Sequence, residues 1–283
     1  MVEINGRTRA CGLIGLPVTH SLSPRLHNST YRLLGLNYRY LAFPVQPKEL
    51  QPALRGITAL NFAGVNVTAP YKEAVIPLID RLSPAAAGAG SVNTICCRDG
   101  VLEGYSTDGD GFIRSLQEEG GFSPEGEEIL LLGAGGAARA VAAALAARGT
   151  KRLIILNRTK HRAISLVDRL SVLFPSLHLE TAPLTGDSIE QFLPQVSLVV
   201  NSLSEEPWPW ERLGEPEASG VLAYDLRYSP PVTDFLEWAE SGGAKVLNGL
   251  GMLLGQAALS FELFTGVKAP FALMESVVGD YHK

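Results

Sequence analysis

The short apolar run Ile129–Leu132 stops on Gly133-Ala134-Gly135-Gly136-Ala137-Ala138, and an alanine-rich stretch continues at helical spacing to Arg148 before Gly149 ends it. A strand that turns through a Gly-x-Gly-x-x-Ala loop into a long helix has few places to go in a folded chain. The first glycine permits the tight turn, and the second lets the backbone approach a pyrophosphate. The small Ala138 lets helix and strand pack closely. Free N–H groups and the dipole at the helix start attract phosphate. The expectation is therefore a dinucleotide-binding βαβ unit. Alone, such a glycine pattern also fits a plain helix cap.

The end of the following strand, Arg152–Leu156, narrows the cofactor. A NAD site wants an acidic side chain there, roughly 20 residues after the loop, for the ribose hydroxyls. This chain has Asn157-Arg158-Thr159-Lys160-His161-Arg162, without a carboxylate. Arg158 can grip a 2′-phosphate through paired hydrogen bonds and stack on adenine. A solvated basic helix start is the bland alternative, but cations there oppose the dipole. The pattern predicts NADP rather than NAD.

Apolar strand-like runs alternate with helical patterns almost throughout, the signature of an α/β fold with parallel sheets. In the first part, strands are expected near Cys11–Leu16, Tyr38–Val45, Phe62–Val67 and Val92–Cys97. Helices are expected at Pro24–Leu34, Lys48–Leu54 and Tyr71–Arg81. Asp99-Gly100 should turn the chain into Val101–Tyr105 as an edge hairpin. In the second part a helix is expected at Lys160–Leu173, with strands at Leu177–Thr181, Leu198–Asn201, Val221–Asp225 and Lys245–Leu247. The stretch Gly251–Gly266 is apolar at helical spacing and should pack back on the first domain. At 283 residues the chain has room for two domains.

A net charge of -5 without a basic run argues against nucleic-acid or anionic-membrane partners. Cys11, Cys96 and Cys97 sit in apolar runs and read as small buried hydrophobes, not as a disulfide framework. No cysteine or histidine cluster has metal-ligand spacing, so no metal is expected. The N-terminal residues lack a charged region followed by an apolar core, and no apolar run is long enough to span a bilayer, which predicts a cytoplasmic protein.

Lys72 stands just past the apolar strand that ends at Val67, in Asn66-Val67-Thr68-Ala69-Pro70-Tyr71-Lys72. Ligands gather outside the carboxyl ends of strands in α/β folds. A partly desolvated ammonium there can trade protons near neutral pH; taken singly, a lysine at this position reads as solvated. Ser21-Leu22-Ser23-Pro24 reads as a helix N-cap with proline following, which accounts for Ser23 and leaves Ser21 unexplained. Two hydroxyls beside a helix N-terminus also make a carboxylate clamp. Asn66 and Thr68 share a strand face. With Asn93, Thr94 and Ser106-Thr107-Asp108 they supply amides and hydroxyls for a polyol, and a carboxylate to pair with Lys72.

These segments, in order along essentially the whole chain, resemble the shikimate dehydrogenase family. The matching elements are Gly15-x-Pro17, His20-Ser21-x-Ser23-Pro24-x-x-His27-Asn28, Asn66-Val67-Thr68-x-Pro70-x-Lys72, Val92-Asn93-Thr94 and Thr107-Asp108-Gly109. Gly133-Ala134-Gly135-Gly136-Ala137, Asn157-Arg158-Thr159, Asp225-Leu226-x-Tyr228-x-Pro230 and Gly249-Leu250-Gly251-Met252-Leu253-x-x-Gln256-Ala257-Ala258 continue it.

The resemblance implies a substrate-binding α/β domain at 1–108, completed by C-terminal helices in 249–283, around an inserted NADP-binding Rossmann-type domain at 109–248. It implies Lys72 and Asp108 as the catalytic pair and Ser21 and Ser23 at the substrate carboxylate. Asn66, Thr68, Asn93, Tyr228 and Gln256 would surround the ring hydroxyls. Gly133, Ala134, Gly135, Gly136, Ala137, Asn157, Arg158, Thr159 and Arg162 would hold NADP, with Leu226 and Gly249 against the nicotinamide. The implied reaction is reversible reduction of 3-dehydroshikimate to shikimate by NADPH, in an enzyme whose family membership also allows a homodimer. A quinate/shikimate dehydrogenase of broader range is the near alternative, and a non-catalytic NADP-binding regulatory paralogue the distant one. Two positions depart from the family pattern: Ser106 replaces an asparagine, and Asn201-Ser202-Leu203-Ser204 replaces Asn-Ala-Thr or Asn-Ala-Ser.

Overall fold

The computed structural model describes residues 3–203, 210 and 213–279. In chain order its elements are β1 (Arg9–Gly15), α1 (Ser23–Leu33), β2 (Tyr38–Pro44), α2 (Leu50–Ala59), β3 (Gly64–Val67), β4 (Arg81–Leu82), α3 (Pro84–Ala89), β5 (Thr94–Arg98), β6 (Val101–Tyr105) and α4 (Asp108–Glu118). There follow β7 (Glu128–Leu132), α5 (Gly136–Ala147), β8 (Arg152–Asn157), α6 (Lys160–Leu173), β9 (His178–Pro183), α7 (Gly186–Phe192), β10 (Leu198–Asn201), β11 (Leu222–Asp225), α8 (Asp234–Ser241), β12 (Lys245–Leu247), α9 (Leu250–Thr265) and α10 (Phe271–Val278). The chain forms two compact units, Met1–Gly111 with Leu254–Lys283, and Phe112–Leu253. Both divisions fall inside helices, α4 and α9.

The first unit is built on a six-stranded sheet in the order β2-β1-β3-β5-β6-β4. It is mixed, where the alternating pattern predicts a parallel sheet: β1 runs parallel to β2 and β3, but β3–β5 and β5–β6 are antiparallel. The reversal comes from Asp99 and Gly100, whose φ values of 50° and 78° make the two-residue turn that suits a twisted hairpin. That hairpin is not the sheet edge, because β4 pairs outside β6. Leu50, Leu54 and Ile57 of α2 pack with Val65, Val67 and Ile95. A separate aromatic group joins α1 to α9: His27 stacks on Tyr40 at 4.4 Å, and Tyr31 meets Phe261 at 5.3 Å.

Tyr71–Arg81, expected as a helix, is instead a set of turns, a 3₁₀ turn at Ile76–Leu78 and the start of β4. Pro77 explains the difference, since it has no N–H to donate and its ring clashes with the preceding turn of an α-helix. Lys72 therefore sits on a bent loop, tied to the sheet where the Val92 N–H donates to the Lys72 carbonyl at 2.8 Å.

The second unit carries a fully parallel six-stranded sheet, β12-β11-β10-β7-β8-β9. Its first strand in sequence, β7, lies in the middle, with later strands added on either side. This is the Rossmann order, and the crevice where the order reverses lies between β7 and β10. Val141, Leu145, Leu166 and Leu170 of α5 and α6 cover one face, while Ile189, Phe192, Phe235 and Trp238 of α7 and α8 cover the other. Among the described residues, no helix is long and apolar enough to cross a membrane.

His27 is fully buried and neither ring nitrogen has a hydrogen-bond partner. Burial disfavours the imidazolium and pulls its pKa down from 6.5 to about 3. The unfolded chain therefore binds a proton that the folded one refuses, and stability falls as pH drops below the ordinary histidine value. The slope attributable to this group reaches ~1.4 kcal/mol per pH unit. His27→Phe, which keeps the stack on Tyr40, should flatten the acid limb by about that amount; urea midpoints of both proteins between pH 7.5 and 5 would check it, and parallel curves would refute it.

Candidate active site

In the first unit the loop after β3, the turn before β5, the start of α4 and the middle of α9 converge. Lys72 Nζ donates to Asp108 Oδ2 at 2.5 Å, with the two side chains 15% and 5% exposed. Asp108 is the first residue of α4, where the helix dipole favours an anion. Its other oxygen, Oδ1, accepts from Asn93 Nδ2 at 2.9 Å. Both carboxylate oxygens are thus engaged by donors.

The orientation of Asn93 follows from the backbone. Its Oδ1 accepts from the Thr107 N–H at 2.7 Å, which directs Nδ2 toward Asp108, Thr107 Oγ1 at 2.8 Å and Gln256 Oε1 at 3.4 Å. Asn66 is fixed from the opposite side. Its Oδ1 accepts from Tyr40 Oη at 2.7 Å, and its Nδ2 reaches Ser260 Oγ at 2.9 Å, Thr94 Oγ1 at 3.0 Å and the Asn93 carbonyl at 3.2 Å. Burial raises the Tyr40 pKa well above the ordinary phenol value, so this hydroxyl stays a donor. One cluster thus joins Lys72, Asp108, Asn93, Gln256 and Asn66.

The other expected substrate residues of the first unit make no hydrogen bond to Lys72 or Asp108 among the described residues. Ser21 and Ser23 stand at the start of α1, but Ser23 is not its cap: the residue before the helix is Leu22, and Ser21 Oγ accepts from the Ser23 N–H at 3.2 Å. Ser21 thereby gains the structural role that the sequence pattern assigns to Ser23, and the buried Ser23 hydroxyl interacts with Tyr40. Thr68 follows β3, with its N–H donating to the Ile14 carbonyl at 2.9 Å. Tyr228 belongs to the second unit. Thr94 and Thr107, read from sequence only as hydroxyl suppliers, belong to the cluster, and Tyr40 and Ser260 complete it without having been singled out for the site. Ser260 alone had a usable signal, its spacing of one helical turn from Gln256.

In the second unit the strand ends gather the other set. Gly133 has φ 109°, a conformation that favours glycine, and a Cβ there would lie 2.3 Å from Ser202 Oγ. Ser202, the departure from the family pattern after β10, donates to the Leu132 carbonyl at 2.6 Å; Ser204 lies outside the described residues. Ala134 and Ala138 are each 1% exposed. Gly135 precedes α5, no side chain caps that helix, and the space where a Cβ of Gly135 would point is open. Gly136 and Ala137 form its first turn.

Asn157 Nδ2 donates to the Thr159 carbonyl at 2.9 Å and shapes the end of β8. Arg158 and Arg162 are exposed and make no side-chain ion pair or hydrogen bond among the described residues. An uncapped helix start behind a glycine turn, with unpaired guanidiniums at the next strand end, fits a phosphorylated dinucleotide. At β11, buried Asp225 accepts from Asn201 Nδ2 at 3.1 Å, Thr233 Oγ1 at 2.7 Å and the Arg227 N–H at 2.9 Å. These bonds hold the turn carrying Leu226. Gly249 lies against that turn so closely that a Cβ would fall 2.0 Å from the Leu226 carbonyl oxygen. Among the described residues, no group of three or more His, Cys, Asp or Glu is placed to hold a metal ion.

Comparison with known proteins places these features in a family. Residues 13–95 match the shikimate dehydrogenase substrate binding domain, residues 117–206 the shikimate / quinate 5-dehydrogenase family, and residues 249–278 the shikimate 5'-dehydrogenase C-terminal domain. The shikimate dehydrogenase (NADP(+)) of Methanopyrus kandleri is 44% identical over 98% of this chain and 97% of its own. Shikimate 5-dehydrogenase from Listeria monocytogenes, solved with shikimate and NAD, superposes with a TM-score of 0.85 at 35% identity, covering 97% of this chain and 98% of that one. The Thermus thermophilus enzyme, solved with NADP(H) and shikimate, gives 0.81 at 35% identity, covering 96% and 99%.

Backbone strain and contact at Gly133 carry a structural consequence. Gly133→Ala should cost about 1–3 kcal/mol, since it adds both an unfavourable φ and a clash with Ser202. A urea midpoint equal to that of the unaltered protein would show that the turn relaxes freely.

Proposed function

The chain belongs to the shikimate dehydrogenase family, and we propose that it catalyses the reversible reduction of 3-dehydroshikimate to shikimate with NADPH. The observation that carries the mechanism is the Lys72–Asp108 contact, with the second carboxylate oxygen held by Asn93. When bound, NADPH supplies the hydride for the ring carbonyl carbon. Lys72 donates a proton to the oxygen as negative charge develops there, and in the reverse direction takes it from the hydroxyl. Asp108 uses both oxygens on protein donors, so it anchors the ammonium. Two of the three ammonium hydrogens then remain for substrate.

Ser21 and Ser23 would take the ring carboxylate. Asn66, Thr68, Asn93, Tyr228 and Gln256 would read the hydroxyls. Gly133 to Ala137 and Asn157 to Thr159, with Arg162, would hold the phosphates and ribose, and Leu226 and Gly249 would bound the nicotinamide. The 1–108 and 249–283 segments form the substrate domain in this reading, and 109–248 the NADP domain. A cytoplasmic setting suits three buried free cysteines, and the family resemblance allows a homodimer. The match to a family described as shikimate / quinate 5-dehydrogenase keeps quinate as a second substrate to test. Rates on shikimate and quinate with each cofactor decide it; turnover of quinate with NAD at the shikimate/NADP rate would displace the narrower reading.

General acid–base help of this kind is worth about 10² to 10⁴ in rate. Lys72→Ala should therefore lower kcat by that factor while the NADPH dissociation constant stays within about twofold. Retained turnover would remove Lys72 from the mechanism. Arg158→Ala should weaken NADPH binding by about 10- to 100-fold, the value of a charge-assisted contact. NADH binding should change little, and equal losses for both cofactors would mean that Arg158 does not read the 2′-phosphate.

A further inference from the structure

Ser260 lies in an apolar stretch of α9 and is fully buried, yet its hydroxyl meets polar groups from three other segments of the first unit. It donates to the Gln256 carbonyl at 2.9 Å, one turn back on the same helix. Its lone pairs face Asn66 Nδ2 at 2.9 Å and Thr94 Oγ1 at 2.8 Å, with Thr107 Oγ1 at 3.4 Å. Resting on the function proposed above, we propose that Ser260 is a positioning residue. It touches no substrate itself but fixes the direction of the amides and hydroxyls that do.

The direction follows from counting hydrogens. A backbone carbonyl can only accept, so it takes the one hydrogen of Ser260 and leaves Oγ an acceptor. Asn66 must then present Nδ2 to Ser260 and Oδ1 to Tyr40, whose buried hydroxyl donates. Thr94 gives its hydrogen to Ser260 and so does not need Asn93 Oδ1, which lies 3.3 Å away. That oxygen stays with the Thr107 N–H, and Asn93 Nδ2 stays on Asp108. Without the Ser260 hydroxyl, Asn66 loses its shortest acceptor. Thr94 then competes with the Thr107 N–H for Asn93 Oδ1, and the disturbance reaches the carboxylate that anchors Lys72.

The experiment is a double-mutant cycle on shikimate oxidation. Ser260→Ala should lower kcat/KM for shikimate by about fivefold to twentyfold, as loss of one buried hydrogen bond does. The NADPH dissociation constant should stay within about twofold of wild type. Asn66→Ala alone should also lower kcat/KM, and the two losses should not multiply in the double variant, because one acts through the other. A purely structural role would leave the losses multiplicative. Thr94→Val removes a hydroxyl from the same chain at constant shape and should repeat the result, giving the reading if Ser260→Ala fails to fold. A loss under about threefold in these variants, or losses that multiply, overturns the proposal. Absence of shikimate oxidation by the wild-type enzyme would instead overturn the parent function, so the two failures are separable.

Discussion

The hydrogen bond from the Thr107 N–H to Asn93 Oδ1, 2.7 Å long and buried, decides which way the amide points, and most of the first unit's polar chemistry depends on it. An asparagine amide has one acceptor end and one donor end. Once a backbone N–H takes the acceptor end, the donor end must face the carboxylate of Asp108. That carboxylate is filled on one oxygen by the amide and on the other by Lys72, and so is fixed in place at the start of α4. A flipped Asn93 would set oxygen against oxygen and would push Asp108 away from its place beside the lysine. Lys72 thus owes its position to a backbone group on a different segment, 35 residues further along the chain.

The second unit solves a different problem by geometry alone. Its β7 lies in the middle of a parallel sheet with later strands on both sides, so the loops at the carboxyl ends of β7 and β10 diverge and leave a crevice. Gly133 supplies the turn there and Ser202 braces it from β10. The cationic side chains follow from the end of β8, where among the described residues they meet no carboxylate. The second unit thus offers uncapped backbone and unpaired guanidiniums. The first unit offers side chains already saturated by one another.

The second unit was the more legible from sequence, because its strand runs are continuous apolar segments of parallel-sheet type and its glycine loop has a fixed place between strand and helix. The expected helix at Lys160–Leu173 and the strands at Leu198–Asn201 and Lys245–Leu247 coincide with the structure. In the first unit the apolar count over Tyr71–Arg81 suggested a helix, and Pro77 with its 3₁₀ turn prevents one. Ser23 read as a cap by composition, whereas the hydrogen bond belongs to Ser21, since a cap is defined by backbone angles that a residue pattern does not contain. Ser260 offered only its one-turn spacing from Gln256, because one serine in a largely apolar helix normally bonds the carbonyl four residues back. It does so here too. What sequence could not show is that Asn66, Thr94 and Thr107, separated from it by more than 150 positions, converge on the lone pairs that this bond leaves exposed.

Buried polar side chains stabilise a fold only when each donor and acceptor is met, and an unmet one costs about 1–3 kcal/mol. Asn66, Asn93, Thr94, Thr107, Asp108 and Ser260 are all buried, so the first unit concentrates many such groups in one place. Their hydrogens run from Tyr40 and the Thr107 N–H inward, and terminate on the Asp108 carboxylate, the Asn93 and Gln256 carbonyls and the Gln256 side-chain oxygen. A network with one consistent polarity has one low-energy arrangement, which is what a site needs if it is to distinguish hydroxyls that differ only in position around a ring. Apolar replacements at the same positions would hold the sheet to the helix equally well. They would leave the Lys72 ammonium without a fixed carboxylate partner.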